Sequence, residues 1–108
     1  MNERDRVHVD RINEELHFMQ KTLKTMDKDA FLKDEVMQHA ITMSLITIGE
    51  CANRFSDMFR EKYSQMPWVK IIATRNIAAH GYWQLNMEQI WQTLVEDIPQ
   101  MREFFADL

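Results

Sequence analysis

A chain of 108 residues that is 45% hydrophobic can bury one core unaided, and its single cysteine, Cys51, excludes an internal disulfide framework and a four-cysteine zinc site. Only two glycines and two prolines argue against a linker and for a helix-rich fold. A net charge of −4 ordinarily counts against a nucleic-acid partner, so any such function has to come from a local basic region.

The opening MNERDRVHVDR is charged and has no apolar stretch of the signal-peptide kind, and no later run is long enough to cross a bilayer. A cytoplasmic location is the expectation. Val9, Ile12, Leu16, Met19, Leu23 and Met26 repeat at alternating spacings of three and four, which predicts a first helix from about Asn2 to Thr25. Asp27 and Asp29 offer cap oxygens for a second helix over Ala30–Arg54, apolar over most of its circumference and therefore expected to be buried among neighbours. Ser56 can cap a short helix reaching Tyr63. Pro67 suits the first turn of a helix that begins near Trp68 and stops at Gly81. Asn86, with Gln89 three residues on, opens a last helix to about Phe105, lined by Ile90, Leu94, Ile98 and Met101. There is no repeat and no strand candidate. These elements predict an all-α fold, an antiparallel up-and-down bundle of four to five helices forming a single domain over residues 1–108.

Three places could carry chemistry. Glu14 and His17 stand at the Glu-x-x-His spacing of di-iron bundles, but no second such pair exists, since Glu35 and His39 are four apart; no metal site is expected. Glu50 sits in the most apolar helix, where Arg54 one turn on supplies a structural partner and Gly49 allows another helix to come close. A supporting role for Glu50, orienting Arg75 or His80, is the functional alternative. The third place is RNIAAHGYW, Arg75 to Trp83. It lies within the only basic segment: residues 51–87 carry +3, against −3 before them and −4 after. Asn76 and His80 are four apart, so the amide is placed to orient the imidazole. Arg75 and His80 diverge by about 140° on an ideal helix, too far to meet on one small target, whereas a twofold dimer could bring two copies of each around a single phosphate. Gly81 would end the helix and let Tyr82 swing free.

Arginine offers a fork of donors to phosphate oxygens, and histidine moves protons near neutral pH. Those groups suffice to cleave RNA through its own 2′-hydroxyl without a metal or other cofactor. The order Arg75, Asn76, His80, Tyr82 resembles the R-x4-H-x-Y motif of HepT toxins, within the HEPN superfamily of helical ribonucleases. Phe31-Leu32-Lys33-Asp34, Ile48-Gly49-Glu50, Pro67-Trp68, Asn86 and Ile90-Trp91 extend the resemblance over most of the chain. It implies a metal-independent endoribonuclease toxin of a type VII-like toxin–antitoxin system, working as a homodimer on RNA, with Arg75 and His80 catalytic and Asn76 their polar helper. It also implies a nucleotidyltransferase partner of the MntA kind, neutralising the toxin by transferring AMP to Tyr82. The alternatives are a non-catalytic nucleotide- or substrate-binding companion of a nucleotidyltransferase, and a structural dimerisation module.

Overall fold

The computed structural model describes residues 1–108, and every regular element is helical. The α-helices are α1 (Glu3–Leu23), α2 (Lys28–Lys33), α3 (Glu35–Arg54), α4 (Asp57–Lys62), α5 (Trp68–His80) and α6 (Met87–Ala106), with a 3₁₀ turn at Tyr82–Gln84 between the last two. The four long helices alternate in direction. Contacts between Asp5 and Ser56 make α1 and α3 antiparallel, Gly49 against Arg75 does the same for α3 and α5, and Asn13 against Phe105 for α1 and α6. The expected up-and-down bundle is therefore the fold.

Side-chain caps set most helix starts. Asn2 Oδ1 accepts from Asp5 N at 2.7 Å, Asp27 from Ala30 N at 2.9 Å, and Asn86 from the amides of Glu88 and Gln89. Such caps satisfy first-turn amides that have no partner inside the helix. One cap changes the expected layout. Asp34 has extended backbone, with ψ 91°, and its Oδ1 accepts from Met37 N at 3.0 Å. The helix expected over 30–54 is thus two helices, α2 and α3. A short acidic side chain competes with the helical path by bonding the backbone ahead of it. The turn lets Phe31 sink fully into the core and meet Trp91, ring centroids 5.5 Å apart.

The core follows the predicted seams. Val9, Ile12, Leu16 and Met19 of α1 are fully buried, as are Leu94, Ile98 and Phe105 of α6. The half of the α1–α6 seam that joins the start of α1 to the end of α6 is tied by polar contacts: Arg6 donates to the Leu108 carbonyl, and Arg102 Nη1 to the Asn13 carbonyl. Asp5 is buried with its carboxylate accepting from Ser56 N at 2.9 Å and from Ser56 Oγ at 2.6 Å, which fastens the start of α1 to the α3–α4 corner. Cys51 is a buried core residue whose thiol pKa burial pushes up, holding it in the unreactive protonated form.

The second correction concerns α3. It is not buried all round. Ile41, Leu45, Ile48 and Ala52 face the core, but Val36 is 81% exposed and Met43 60%. The bundle covers α3 from two sides only, by α1 and α5, and leaves an outer stripe bare. No helix is long and apolar enough to cross a membrane.

Candidate active site

The site begins with a glycine. A Cβ at Gly49 would overlap the Arg75 Cβ and lie 2.7 Å from its Cγ, so α5 approaches α3 this closely only because position 49 has no side chain. That approach carries the Arg75 guanidinium to Glu50, the next residue of α3, where Nη2 donates to Oε1. Glu50 Oε2 lies 3.9 Å from Arg54 Nη2. The two readings of Glu50 therefore coexist. It has its intrahelical partner, and it also holds the arginine of the motif.

Asn76 does something other than expected. Its Oδ1 accepts from Arg75 Nη1 at 2.7 Å, and the His80 side chain makes no hydrogen bond. A bond from a charged donor is about twice as strong as a neutral one, and the guanidinium is within reach of the amide, so the arginine wins. Arg75 is thus clamped on both sides, by a carboxylate and an amide, while Nε–H is buried without a partner. Leaving such a donor unmatched costs about 1–3 kcal/mol.

His80, the last residue of α5, is exposed. Arg75 points to α3 and His80 outward, as the divergence on the helical wheel requires. Beside His80 the outward face of α5 carries an apolar strip, with Val69 85% exposed, Ile77 54% and Ala73 between them, bordered by exposed Lys70 and Asn76.

Tyr82 is not free to swing. Gly81 ends α5, and the following 3₁₀ turn lays the Tyr82 ring on His39 of α3, centroids 4.3 Å apart and planes 31° from parallel. His39 Nδ1 lies 2.8 Å from the Glu35 carbonyl oxygen and 3.2 Å from the Tyr82 hydroxyl. A carbonyl only accepts, so the Nδ1 that faces it is a donor. Burial raises the Tyr82 pKa, with Glu35 adding to it, so the phenol is protonated at neutral pH. In the sequence, His39 is eleven residues from Glu50, close to three helical turns, which puts the two on one side of α3.

Nowhere do three His, Cys, Asp or Glu side chains converge as a metal site would need; Glu14 faces a shallow surface between α1 and α3 rather than other ligands. The largest concavity, about 470 Å³, lies between α5 and α6 and reaches Ile77, but Arg75, Asn76 and His80 do not line it.

The comparisons with known proteins agree with one another. The model of the family described as "Ribonuclease HepT-like" matches residues 12–108. The chain is 33% identical over 98 residues to "Putative RNase TTE0752" of Caldanaerobacter subterraneus subsp. tengcongensis, covering 91% of this chain and 88% of that one. It is 36% identical over 87 residues to "Putative RNase MJ0127" of Methanocaldococcus jannaschii, covering 77% and 72%. Against "Probable ribonuclease HepT" of Thermococcus cleftensis the identity is 25% over 101 residues, covering 94% and 92%. No solved structure matches the chain. With a family model running from Ile12 to the last residue, and a relative one-third identical along nearly its whole length, this helical bundle belongs to the HepT-like ribonuclease family.

Proposed function

We propose that the chain, as one domain, is a metal-independent endoribonuclease that cleaves RNA as a homodimer, with Arg75 and His80 catalytic and Asn76 and Glu50 holding Arg75. The observation that carries the reading is the split within α5. Arg75 is fixed inward by two partners, and His80 stands unrestrained on the outer face beside an exposed apolar strip. One copy supplies one outward imidazole. Two copies related by a twofold axis supply two, and covering Val69, Ala73 and Ile77 gives the axis an apolar surface to close on.

In that arrangement one His80 accepts the proton of a ribose 2′-hydroxyl. The 2′-oxygen attacks the adjacent phosphorus, the bond to the 5′-oxygen breaks, and the second His80 gives that oxygen a proton. A 2′,3′-cyclic phosphate and a 5′-hydroxyl remain. Arg75, preset in direction by Glu50 and Asn76, stabilises the negative charge that grows on the phosphoryl oxygens. DNA lacks the nucleophile and is spared.

The same reading makes the protein a cytoplasmic toxin, neutralised when an MntA-like nucleotidyltransferase moves AMP from ATP onto Tyr82. The phenol oxygen bonds to the α-phosphorus, pyrophosphate leaves, and the phenolic proton passes to a base. An anionic adduct at Tyr82, two residues from His80, obstructs the substrate and competes for Arg75.

The test compares the parent with His80→Ala on total RNA in the presence of a chelator. The parent is expected to cut, and the variant to lose about 10²–10⁴-fold in rate while keeping its helical signal. Equal cleavage by both proteins, or cleavage by the parent only when metal is restored, would overturn the assignment.

A further inference from the structure

Between α1 and α3 lies a groove of about 330 Å³ lined by His8, Arg11, Glu50, Cys51 and Arg54, among others. It belongs to a different helix pair from the α3–α5 contact, yet the two share Glu50, whose carboxylate reaches Arg54 on one side and Arg75 on the other. The groove is therefore continuous with the clamped arginine.

Arg11 and Arg54 line the groove, and Arg4 stands one helical turn beyond His8 at its end. Arg6 pairs with Asp10, Arg60 with Asp57 and Lys70 with Asp97. Arg4 and Arg11 make no ion pair or hydrogen bond, and Arg54 has only the distant edge of a carboxylate already taken by Arg75. Arg4, His8 and Arg11 follow one another at four and three residues, a single stripe along α1. His8 registers the resulting field: burial first, then Arg54 and Arg4, hold its pKa below the ordinary value. The ring is anchored edge-on against Phe55, centroids 6.0 Å apart. Uncharged at neutral pH, it leaves the positive charge to the arginines.

We propose that this groove is a binding track for the sugar–phosphate backbone of single-stranded RNA, with Arg4, Arg11 and Arg54 contacting phosphates beside the one held at Arg75. The rise from Arg4 to Arg11 is about 10 Å of helix, equivalent to about three stacked nucleotides of one strand. Unpaired arginines suit phosphates rather than bases: their fork binds two oxygens at once and reads no sequence. The track rests on the ribonuclease reading for its substrate, but it is separable from it by measurement.

The experiment titrates a short oligoribonucleotide into His80→Ala protein, which cannot cut it, over a series of salt concentrations. Each phosphate contact contributes about −0.7 to the slope of log affinity against log salt for a single strand. Arg4→Gln and Arg11→Gln, each added to His80→Ala, are expected to make the slope shallower by about that amount and to weaken binding about tenfold at low salt. Lys28→Gln, at the start of α2, should change neither value. Arg54 is left intact because its loss would also disturb Glu50. Unchanged slopes in both arginine variants, or no binding by the His80→Ala protein, overturn the track. Should the parent fail to cleave RNA while the slopes still fall, the ribonuclease assignment goes and the track stands.

Discussion

Two of the seams in this bundle are built on opposite principles. Between α1 and α6 the contact is an apolar ladder, buried rung by rung from Val9 to Met19 and from Leu94 to Phe105. Between α3 and α5 the defining features are a missing side chain at Gly49, an ion pair from Glu50 to Arg75, and an arginine Nε left without an acceptor. The ladder gains free energy from every residue it excludes from water, about 1.5–3 kcal/mol for a large aliphatic side chain. The second seam gains little from its charges, since a half-exposed pair is worth little and an unmatched donor is costly. One seam is a ladder of buried apolar rungs. The other also sets the direction of Arg75.

That division can be broken by substitution. Leu94→Ala cuts a rung of the ladder and is expected to lower unfolding free energy by about 2–5 kcal/mol in chemical denaturation, while cleavage per folded molecule is unchanged. Gly49→Ala attacks the other seam. Its methyl forces α5 away from α3, at a cost of about 1–3 kcal/mol, and because Arg75 moves with the helix, RNA cleavage should fall about 10²-fold under conditions where the variant is still folded. If Leu94→Ala slows cleavage and Gly49→Ala does not, the contrast between the seams is wrong.

The smallest effect sharpens the boundary between the seam and its surroundings. His39→Ala uncovers one face of Tyr82. Because burial is the first cause of the raised pKa there, the phenol should titrate at lower pH in the variant, seen by following tyrosine absorbance with Tyr63 as internal reference. The sign has a stability counterpart. A phenol whose folded pKa is raised contributes its full stability at neutral pH and loses it as pH climbs through that value. The parent should therefore lose more stability than His39→Ala on going into strongly alkaline solution.

Much of the ladder could be read in the sequence because it is local and periodic: spacing alone places Val9, Ile12, Leu16 and Met19 on one stripe, and Ser56 and Asn86 announce the helices they cap. Asp34 was not legible as a break. Flanked by Lys33 and Glu35, it fits a continuous helix as well as a cap. The outer face of α3 misled for a different reason: Val36 and Met43 are apolar, but a bundle this small has no helix left to cover them. At the site, the motif itself and the close approach at Gly49 were visible. The partner of Asn76 was not, since Arg75 and His80 both lie within its reach and only the relative strength of the two bonds decides. The stacking of Tyr82 on His39 joins residues 43 positions apart, and no local pattern encodes it.

Gly49 has a consequence for genetics. A random-mutagenesis screen for loss of RNA cleavage should recover changes at position 49 alongside those at Arg75 and His80, although a glycine offers substrate nothing to touch. Nearly every single-base change in its codon that alters the amino acid introduces at least a methyl, so the tolerance of this position is set by the width of a gap and not by chemistry.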